Sequence, residues 1–398
     1  MSSHLSPASP LLPGAWLGMI GGGQLGRMFC HAAQSMGYKV VVLDPDTQSP
    51  AGAVAEQHIC AAYTDAAALA ELASRCVAVT TEFENVPADS LRALQASVPV
   101  RPSADAVAIV QDRIREKAFI QSSGVAVAPY CPVRSVDDVH QAPDDLFPGI
   151  LKVARLGYDG KGQARVVSRE QAIQAFNEFG QAECVLEALL PLAFEVSVVM
   201  ARTHDGQTVT FPVARNEHRN GILAVSTVDS LLCEPVLAEQ AAQATEKIAA
   251  QLGYVGVLCV EFFVLADGRL IANEIAPRPH NSGHYTMNAC VTSQFEQQVR
   301  ALAGLPLGST RAHSAAVMLN ILGDIWFDAA GTYREPDWAG VLAVPGTSVH
   351  LYGKAQARAG RKMGHVNIVA PTLVQANDYA AQAAKILGIA FEPVRAPS

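Results

Sequence analysis

VLCVEFFVLADGRLIANEIA, residues 257–276, reads as two apolar runs separated by Asp267-Gly268. That dipeptide between β-prone runs is a hairpin signal, so 257–265 and 269–276 are expected as antiparallel strands. A two-residue turn would make 266 and 269 the first pair. Stepping back along both strands then sets Glu261 opposite Glu274, with Cβ atoms about 4.5–5.5 Å apart. Val257, Cys259, Phe263, Leu265, Leu270 and Ala272 are expected on the same face. Two carboxylates so placed repel unless a cation lies between them. A hard divalent ion with oxygen ligands fits, and magnesium completes its shell with substrate phosphates. Asn273 adds an amide oxygen next door. An edge hairpin with both acids in water, a longer loop that spoils the register, and a dyad sharing one proton are the competing arrangements.

Outward from the hairpin, the middle of the chain has α+β character. Strands are expected at 149–153, 184–187 and 195–201, and a long helix at 236–252. Leu151-Lys152-Val153 carries a lysine in a strand, followed by Gly157-Tyr158-Asp159-Gly160-Lys161-Gly162-Gln163. The loop lacks the ending and the following helix of a Walker A motif. Its glycines and lysine can still fold over phosphates, with Lys152 reaching the α/β-phosphates; an ordinary hairpin loop is the plainer reading. After the hairpin, Arg278-Pro279-His280-Asn281-Ser282-Gly283-His284 offers donors to an anion. His280 and His284 also have the spacing of a zinc pair, against which Gly283 argues. Lys354, Arg358, Arg361, Lys362 and His365, among glycines at 353, 360 and 364, suit a phosphate monoester or a solvated basic loop.

The first third alternates strand and helix: strands at 16–20, 39–43 and 76–80, helices after Gly23 and at 66–74. This predicts a parallel sheet covered by helices, with a single helix over 104–122 leading out. Gly21-Gly22-Gly23-Gln24-Leu25-Gly26 fits the dinucleotide fingerprint, and Asp44 ends the second strand where a ribose-binding acid would sit. An NAD-dependent dehydrogenase is therefore a rival reading. The last ninety or so residues read as strand-rich, including 341–352, and end in a helix around 378–387.

At 398 residues, half of them hydrophobic, the chain needs two or three domains. A net charge of −8 argues against nonspecific binding to nucleic acid or anionic membranes. The eight cysteines form no C-x-x-C pair and read as reduced core residues of a cytoplasmic protein. Residues 1–14 read as a flexible extension without the features of a secretion signal. No apolar run reaches the roughly 18 residues of a membrane span.

Taken together, GGGQLGRM at 21–28, TEFENVP at 81–87, GYDGKGQ at 157–163, LGYVGVLCVEFF at 252–263, NEIAPRPHNSGHYT at 273–286 and GRKMGHVN at 360–367 resemble, in order, the N5-carboxyaminoimidazole ribonucleotide synthetase family of ATP-grasp enzymes. The stretch 153–156 departs from the family pattern. The resemblance implies an α/β and α+β chain: a Rossmann-like domain at 15–115, a two-lobed ATP-grasp domain at 116–310 and a small β-rich domain at 311–398. It implies ATP-dependent carboxylation of aminoimidazole ribonucleotide with bicarbonate, magnesium as cofactor, and a homodimer. A formate-dependent glycinamide ribonucleotide transformylase shares the architecture.

By matching motif, Arg113, Lys152, the loop Gly157, Tyr158, Asp159, Gly160, Lys161, Gly162 and Gln163, Glu187, Ala188, Leu189 and Leu190 as adenine hinge, Glu195, His218, Asn273 and Glu274 look like ATP contacts. Glu261 and Glu274 look like the magnesium ligands. Gln24, Glu82, Tyr158, Asp159, Asn281, Lys354, Arg361 and Lys362 match ribonucleotide positions. Lys152, Asp159, Arg278 and His280 match the catalytic set.

Overall fold

The structure, a computed structural model, describes residues 9–157 and 161–395. Within them the chain forms three sheets. The first is all-parallel, in the order Gln57–Ile59, Lys39–Leu43, Trp16–Ile20, Ala78–Thr81. Its strands are apolar on both faces, with Leu17, Met19, Val40 and Val42 fully buried on one side and Ile20, Val41, Leu43 and Val79 on the other. That is what helices on both faces require. Residues 9–14, expected within a flexible extension, are tied down instead: Leu11 N donates to Ala303 O at 2.8 Å, and Tyr38 Oη donates to Leu11 O at 2.6 Å.

The segment expected as one helix over 104–122 is two, Ala104–Val110 and Arg113–Ser122. Asp112 causes the break. Its carboxylate accepts from the backbone N–H groups of Ile114 and Arg115 at 3.1 and 3.2 Å, capping a new helix start. The restart aims Arg113, Glu116 and Lys117 at the middle of the molecule.

The second sheet is antiparallel, in the order Tyr130–Val133, Cys184–Ala188, Gly149–Val153, Gln163–Val166, with the helices Val136–Gln141 and Arg169–Glu178 packed around a shared core. The third is a large antiparallel sheet. It runs from Leu270–Ala276 through Gly256–Leu265, Leu192–Arg202, Ala214–Arg219 and Ile222–Val228 to Ala315–Leu322, Lys362–Ala370 and Thr347–Leu351, with Thr208–Thr210 beside Leu192–Arg202. The C-terminal strands therefore extend the central sheet. Within 341–352, expected as strand, residues 341–343 belong to the helix Trp338–Ala343, and the strand is limited to Thr347–Leu351. The last helix begins earlier than expected and spans Leu373–Leu387.

The cysteines are free, but only Cys30, Cys76, Cys184, Cys259 and Cys290 are buried; Cys131 and Cys233 are half-buried and Cys60 is exposed. No described helix is long and apolar enough to cross a membrane.

Candidate active site

Glu261 and Glu274 do face each other across the hairpin, for a reason the two-residue turn does not supply. Leu265 N donates to Arg269 O, so the loop holds three residues, 266–268, with Gly268 at φ +84°. That moves the pairing by one: Val264 meets Leu270, and Phe263 meets Ile271. Asn273 is then an extra, bulged residue, because Phe262 pairs with Ala272 while Glu261 pairs with Glu274. The two one-residue shifts cancel at the glutamates. They do not cancel closer to the turn, so Ile271 opposes Phe263 and the face expected to include Leu270 and Ala272 is corrected.

The pair lies in a cleft of about 330 Å³ between the second and third sheets. Burial and the neighbouring Glu274 carboxylate push Glu261 up to about 7. Burial acts the same way on Glu274, but Arg113 overrides it. Its guanidinium donates to Glu274 Oε2 at 2.9 Å and holds that carboxyl below the ordinary range. The bulged Asn273 leaves its buried Oδ1 without a hydrogen-bond partner. Two carboxylates and an orphaned amide oxygen form a hard-oxygen donor set that fits magnesium. Among the described residues no three His, Cys, Asp or Glu side chains converge as a metal site, so the remaining positions would fall to phosphate and water. His280 and His284 do not act as a pair: His280 turns to Glu261, and His284 stacks on His365 at 4.4 Å.

Further ion pairs ring the glutamates. Lys152, buried on its strand, lies 3.1 Å from Glu187, whose other oxygen is 3.0 Å from the buried Lys117. Burial would raise the Glu187 carboxyl, but the two lysines bring it down to about 2. Burial lowers Lys152, offset in part by Glu187. Arg278 is bidentate on Glu84, at 2.5 and 3.2 Å, and despite burial holds it at about 2. His218 Nδ1 bonds Glu195; burial opposes its charge, yet that carboxylate and Glu261 lift it to about 9. Burial and Glu274 push Glu116 up to about 8, and Glu116 accepts from Ile275 N at 2.6 Å.

Arg113, Lys152, Gly157, Gln163, Glu195, His218, Glu261, Asn273, Glu274, Arg278, His280, Asn281 and Lys362 all line this cleft. Tyr158, Asp159 and Gly160 lie outside the described residues; Lys161 and Gly162 follow them, Gly162 at φ +69°. In the hinge, the N–H groups of Ala188 and Leu189 donate to Pro129 O and Pro148 O, and Leu190 packs on the Ala128, Leu265 and Ile271 cluster. Glu84, Glu116 and Lys117 were not singled out from sequence. Only Asp112, a capping residue before Arg113, hints that the latter two start a helix.

The two ends of the chain behave differently. Gln24 and Glu82 do not line the cleft. Glu82 accepts from the N–H groups of Gly23 and, at 2.7 Å, Gly26; Asp44 accepts from Gly22 N at 2.7 Å. The fingerprint's anion position is filled by the protein's own carboxylates, which overturns the dehydrogenase reading. The basic stretch at 354–365 is not one cluster. Lys362 faces the cleft, and Lys354 Nζ donates to Lys362 O at 2.7 Å. Arg361 donates to Gln356 O at 2.8 Å within its own loop, and His365 is fully buried. Tyr352 packs with Leu25 and Met28, bringing this loop against the N-terminal helix Gln24–Ser35.

Three family models match the chain in succession: a ribonucleotide synthetase preATP-grasp domain at residues 15–111, an ATP-grasp domain at 118–295 and a phosphoribosylaminoimidazole carboxylase C-terminal domain at 316–379. An N5-carboxyaminoimidazole ribonucleotide synthase of Brucella melitensis is 47% identical over 370 residues, covering 92% of this chain and 99% of that protein. A solved ADP complex of an N5-carboxyaminoimidazole ribonucleotide synthetase superposes with a TM-score of 0.87 at 41% identity, covering 96% of this chain and 99% of the other. An Aspergillus clavatus N5-carboxyaminoimidazole synthase solved with ADP and 5-aminoimidazole ribonucleotide gives 0.84 at 28% identity, covering 94% and 99%. With the family's segments in order around one cleft and relatives matched along nearly their whole length, this chain belongs to the N5-carboxyaminoimidazole ribonucleotide synthases of the ATP-grasp ligases.

Proposed function

We propose that this cleft carboxylates 5-aminoimidazole ribonucleotide with bicarbonate at the expense of ATP, giving N5-carboxyaminoimidazole ribonucleotide, ADP and phosphate. The observation that carries the reading is the facing Glu261–Glu274 pair beside the orphaned Asn273 Oδ1, ringed by Arg113, Lys152, His218 and Arg278. Magnesium, held by the two glutamates and Asn273, would neutralise charge on the transferring phosphoryl group. Arg113 and Lys152 orient the ATP phosphates, and Glu195 with charged His218 closes the ribose side. Each of these cations rests on a glutamate, Arg113 on Glu274, Lys152 on Glu187 and His218 on Glu195, so the protein itself fixes their positions.

Bicarbonate attacks the γ-phosphoryl group; its oxygen–phosphorus bond forms as the bond to ADP breaks, giving carboxyphosphate. Gly157 and Gln163, at the two ends of the glycine-rich loop, border the space in which this water-labile species would form. Arg278, anchored by Glu84 through Nε and Nη2 and by Pro279 O through Nη1, turns its remaining N–H bonds to anionic oxygens. The substrate amine then takes the carboxyl carbon and phosphate leaves. Because that amine is weakly basic, positioning contributes more than a strong base. Lys362, with Lys354 and Arg361 behind it, receives the ribose phosphate, and Asn281 contacts the ribonucleotide. By family resemblance the enzyme works in the cytoplasm as a homodimer.

ADP release measured with and without 5-aminoimidazole ribonucleotide and bicarbonate tests the reading. Release that needs both supports it. Equal or greater release with formate and glycinamide ribonucleotide would instead favour the transformylase.

A further inference from the structure

Behind the carboxylate pair runs a buried polar chain that the reaction above does not use. Ser226, Asn216 and Ser197 sit on the neighbouring strands Ile222–Val228, Ala214–Arg219 and Leu192–Arg202; Ser282 and His280 sit on the loop after Leu270–Ala276. All five are buried. The contacts are Ser226 Oγ to Asn216 Oδ1 at 2.8 Å, Asn216 Nδ2 to Ser197 Oγ at 2.9 Å, Ser197 Oγ to Ser282 Oγ at 2.7 Å and Ser282 Oγ to His280 Nδ1 at 2.8 Å.

Hydroxyls can donate in either direction, so these distances alone leave the protons undetermined. One group removes the freedom. The backbone N–H of Ser282 can only donate, and it points at His280 Nδ1 from 3.3 Å. Nδ1 must therefore be an acceptor, and a neutral ring carries its proton on Nε2. The Ser282 hydroxyl must then donate to Nδ1 as well, in a shared bond. Its oxygen receives from Ser197, whose oxygen receives from the Asn216 amide N–H. The amide oxygen is thereby turned to Ser226, which donates. Every proton in the chain points towards His280. At the far end, Nε2–H faces Glu261 Oε1 at 3.4 Å and opens on the cleft.

The backbone that carries the ring is fixed at both its N–H and its C=O by one side chain. His280 N donates to Gln294 Oε1 at 2.9 Å, and Gln294 Nε2 donates to His280 O at 2.8 Å.

We propose that Ser226, Asn216, Ser197 and Ser282 are positioning residues, a one-way hydrogen-bond chain that holds His280 as its Nε2–H tautomer. His280 then serves the cleft as a fixed hydrogen-bond donor to a phosphoryl or carboxylate oxygen, and not as a base. A neutral imidazole used as an electrophile is a known device for stabilising developing negative charge. The tautomer follows from the geometry alone; the catalytic consequence rests on the carboxylation reading.

The test is 15N NMR of the full-length protein labelled at histidine, with His280→Gln assigning the signal. Wild type is expected to show protonated Nε2 and bare Nδ1. Ser282→Ala removes the 2.8 Å hydroxyl donor to Nδ1 but keeps the longer backbone N–H, so it should raise the Nδ1–H tautomer to a measurable minor fraction and lower kcat for ADP release about tenfold, with the KM for ATP within twofold. Ser197→Ala, one link further away, should do both to a smaller degree. Protonated Nδ1 in the wild type would overturn the proposal without any variant having to fold. So would two folded variants that keep both tautomer and kcat. If the wild type shows the expected tautomer but releases no ADP with bicarbonate and 5-aminoimidazole ribonucleotide, the carboxylation reading fails while the chain stands.

Discussion

Two glycine-rich turns in this chain look alike on paper, and only one of them faces a ligand cleft. Gly21–Gly26 follows a parallel strand and opens a helix, the arrangement that favours an anion. Its N–H groups are already taken by Glu82 and Asp44, and a Cβ on Gly21 or Gly23 would run into Glu82. Gly157–Gly162 joins two antiparallel strands and fits no fingerprint, yet Gly157 and the adjoining Gln163 line the cleft beside Arg113 and Lys152. Glycines expose backbone N–H groups; they do not say whose negative charge will meet them. A carboxylate delivered just past the protein's own strand Ala78–Thr81 competes for the same place as a phosphate, and here it holds it.

That contrast can be broken experimentally, and the largest expected effect lies on the cleft side. Glu274→Gln removes a proposed metal ligand and the partner of Arg113, so ADP release should fall by about 10²–10³-fold or more. Magnesium-dependent release at the wild-type rate would remove the metal assignment. On the other side, Gly21→Ala forces a side chain at φ +100° against Glu82 and should cost roughly 2–4 kcal/mol of stability in denaturant unfolding. Glu82→Gln keeps the shape but weakens the two bonds to Gly23 and Gly26, for a loss of about 1–3 kcal/mol. If Glu82→Gln leaves the melting curve unchanged, the filled-cradle account is wrong. Consistently, NADH fluorescence should show no saturable binding to the wild type, whereas ADP should bind.

A further effect is a pH dependence confined to the cleft. His218 has its folded pKa raised to about 9 by Glu195 and Glu261 against the cost of burial. A raised histidine contributes stability that is complete below its unfolded pKa of about 6.5 and is lost as pH rises through the folded value. Between roughly pH 6.5 and 9 the wild type should therefore lose roughly 3 kcal/mol that His218→Gln does not. Parallel melting temperatures for both proteins across that range would contradict the pairing.

How far the residues could be read in advance varied from one segment to the next. The parallel sheet was legible because strands buried on both faces carry unbroken apolar runs, as in Val40, Val41, Val42 and Leu43. The Glu261–Glu274 register was legible only through compensation: the Ala266-Asp267-Gly268 loop and the Asn273 bulge each move the pairing by one residue, in opposite senses. The break at Asp112 was missed because the apolar spacing continues through it, while its carboxylate makes a cap instead of a turn of helix. The basic run at 354–365 read as one patch, since charge counts carry no direction. In the fold, Lys362 and His365 lie on the same strand, one lining the cleft and the other buried in a histidine stack.

By itself, then, the order of residues determined the parallel and antiparallel halves, the facing glutamates and the family segments. These depend on local periodicity, turn chemistry and short-range register, all of which are written in neighbouring positions. Only the tertiary structure decided which glycine turn was already occupied, that Lys117 shares Glu187 with Lys152, that Glu84 anchors Arg278, and which way the protons point at His280. Each joins groups on different segments of the chain. Which charge ends beside which is set by the packing of whole sheets, not by any spacing along the sequence.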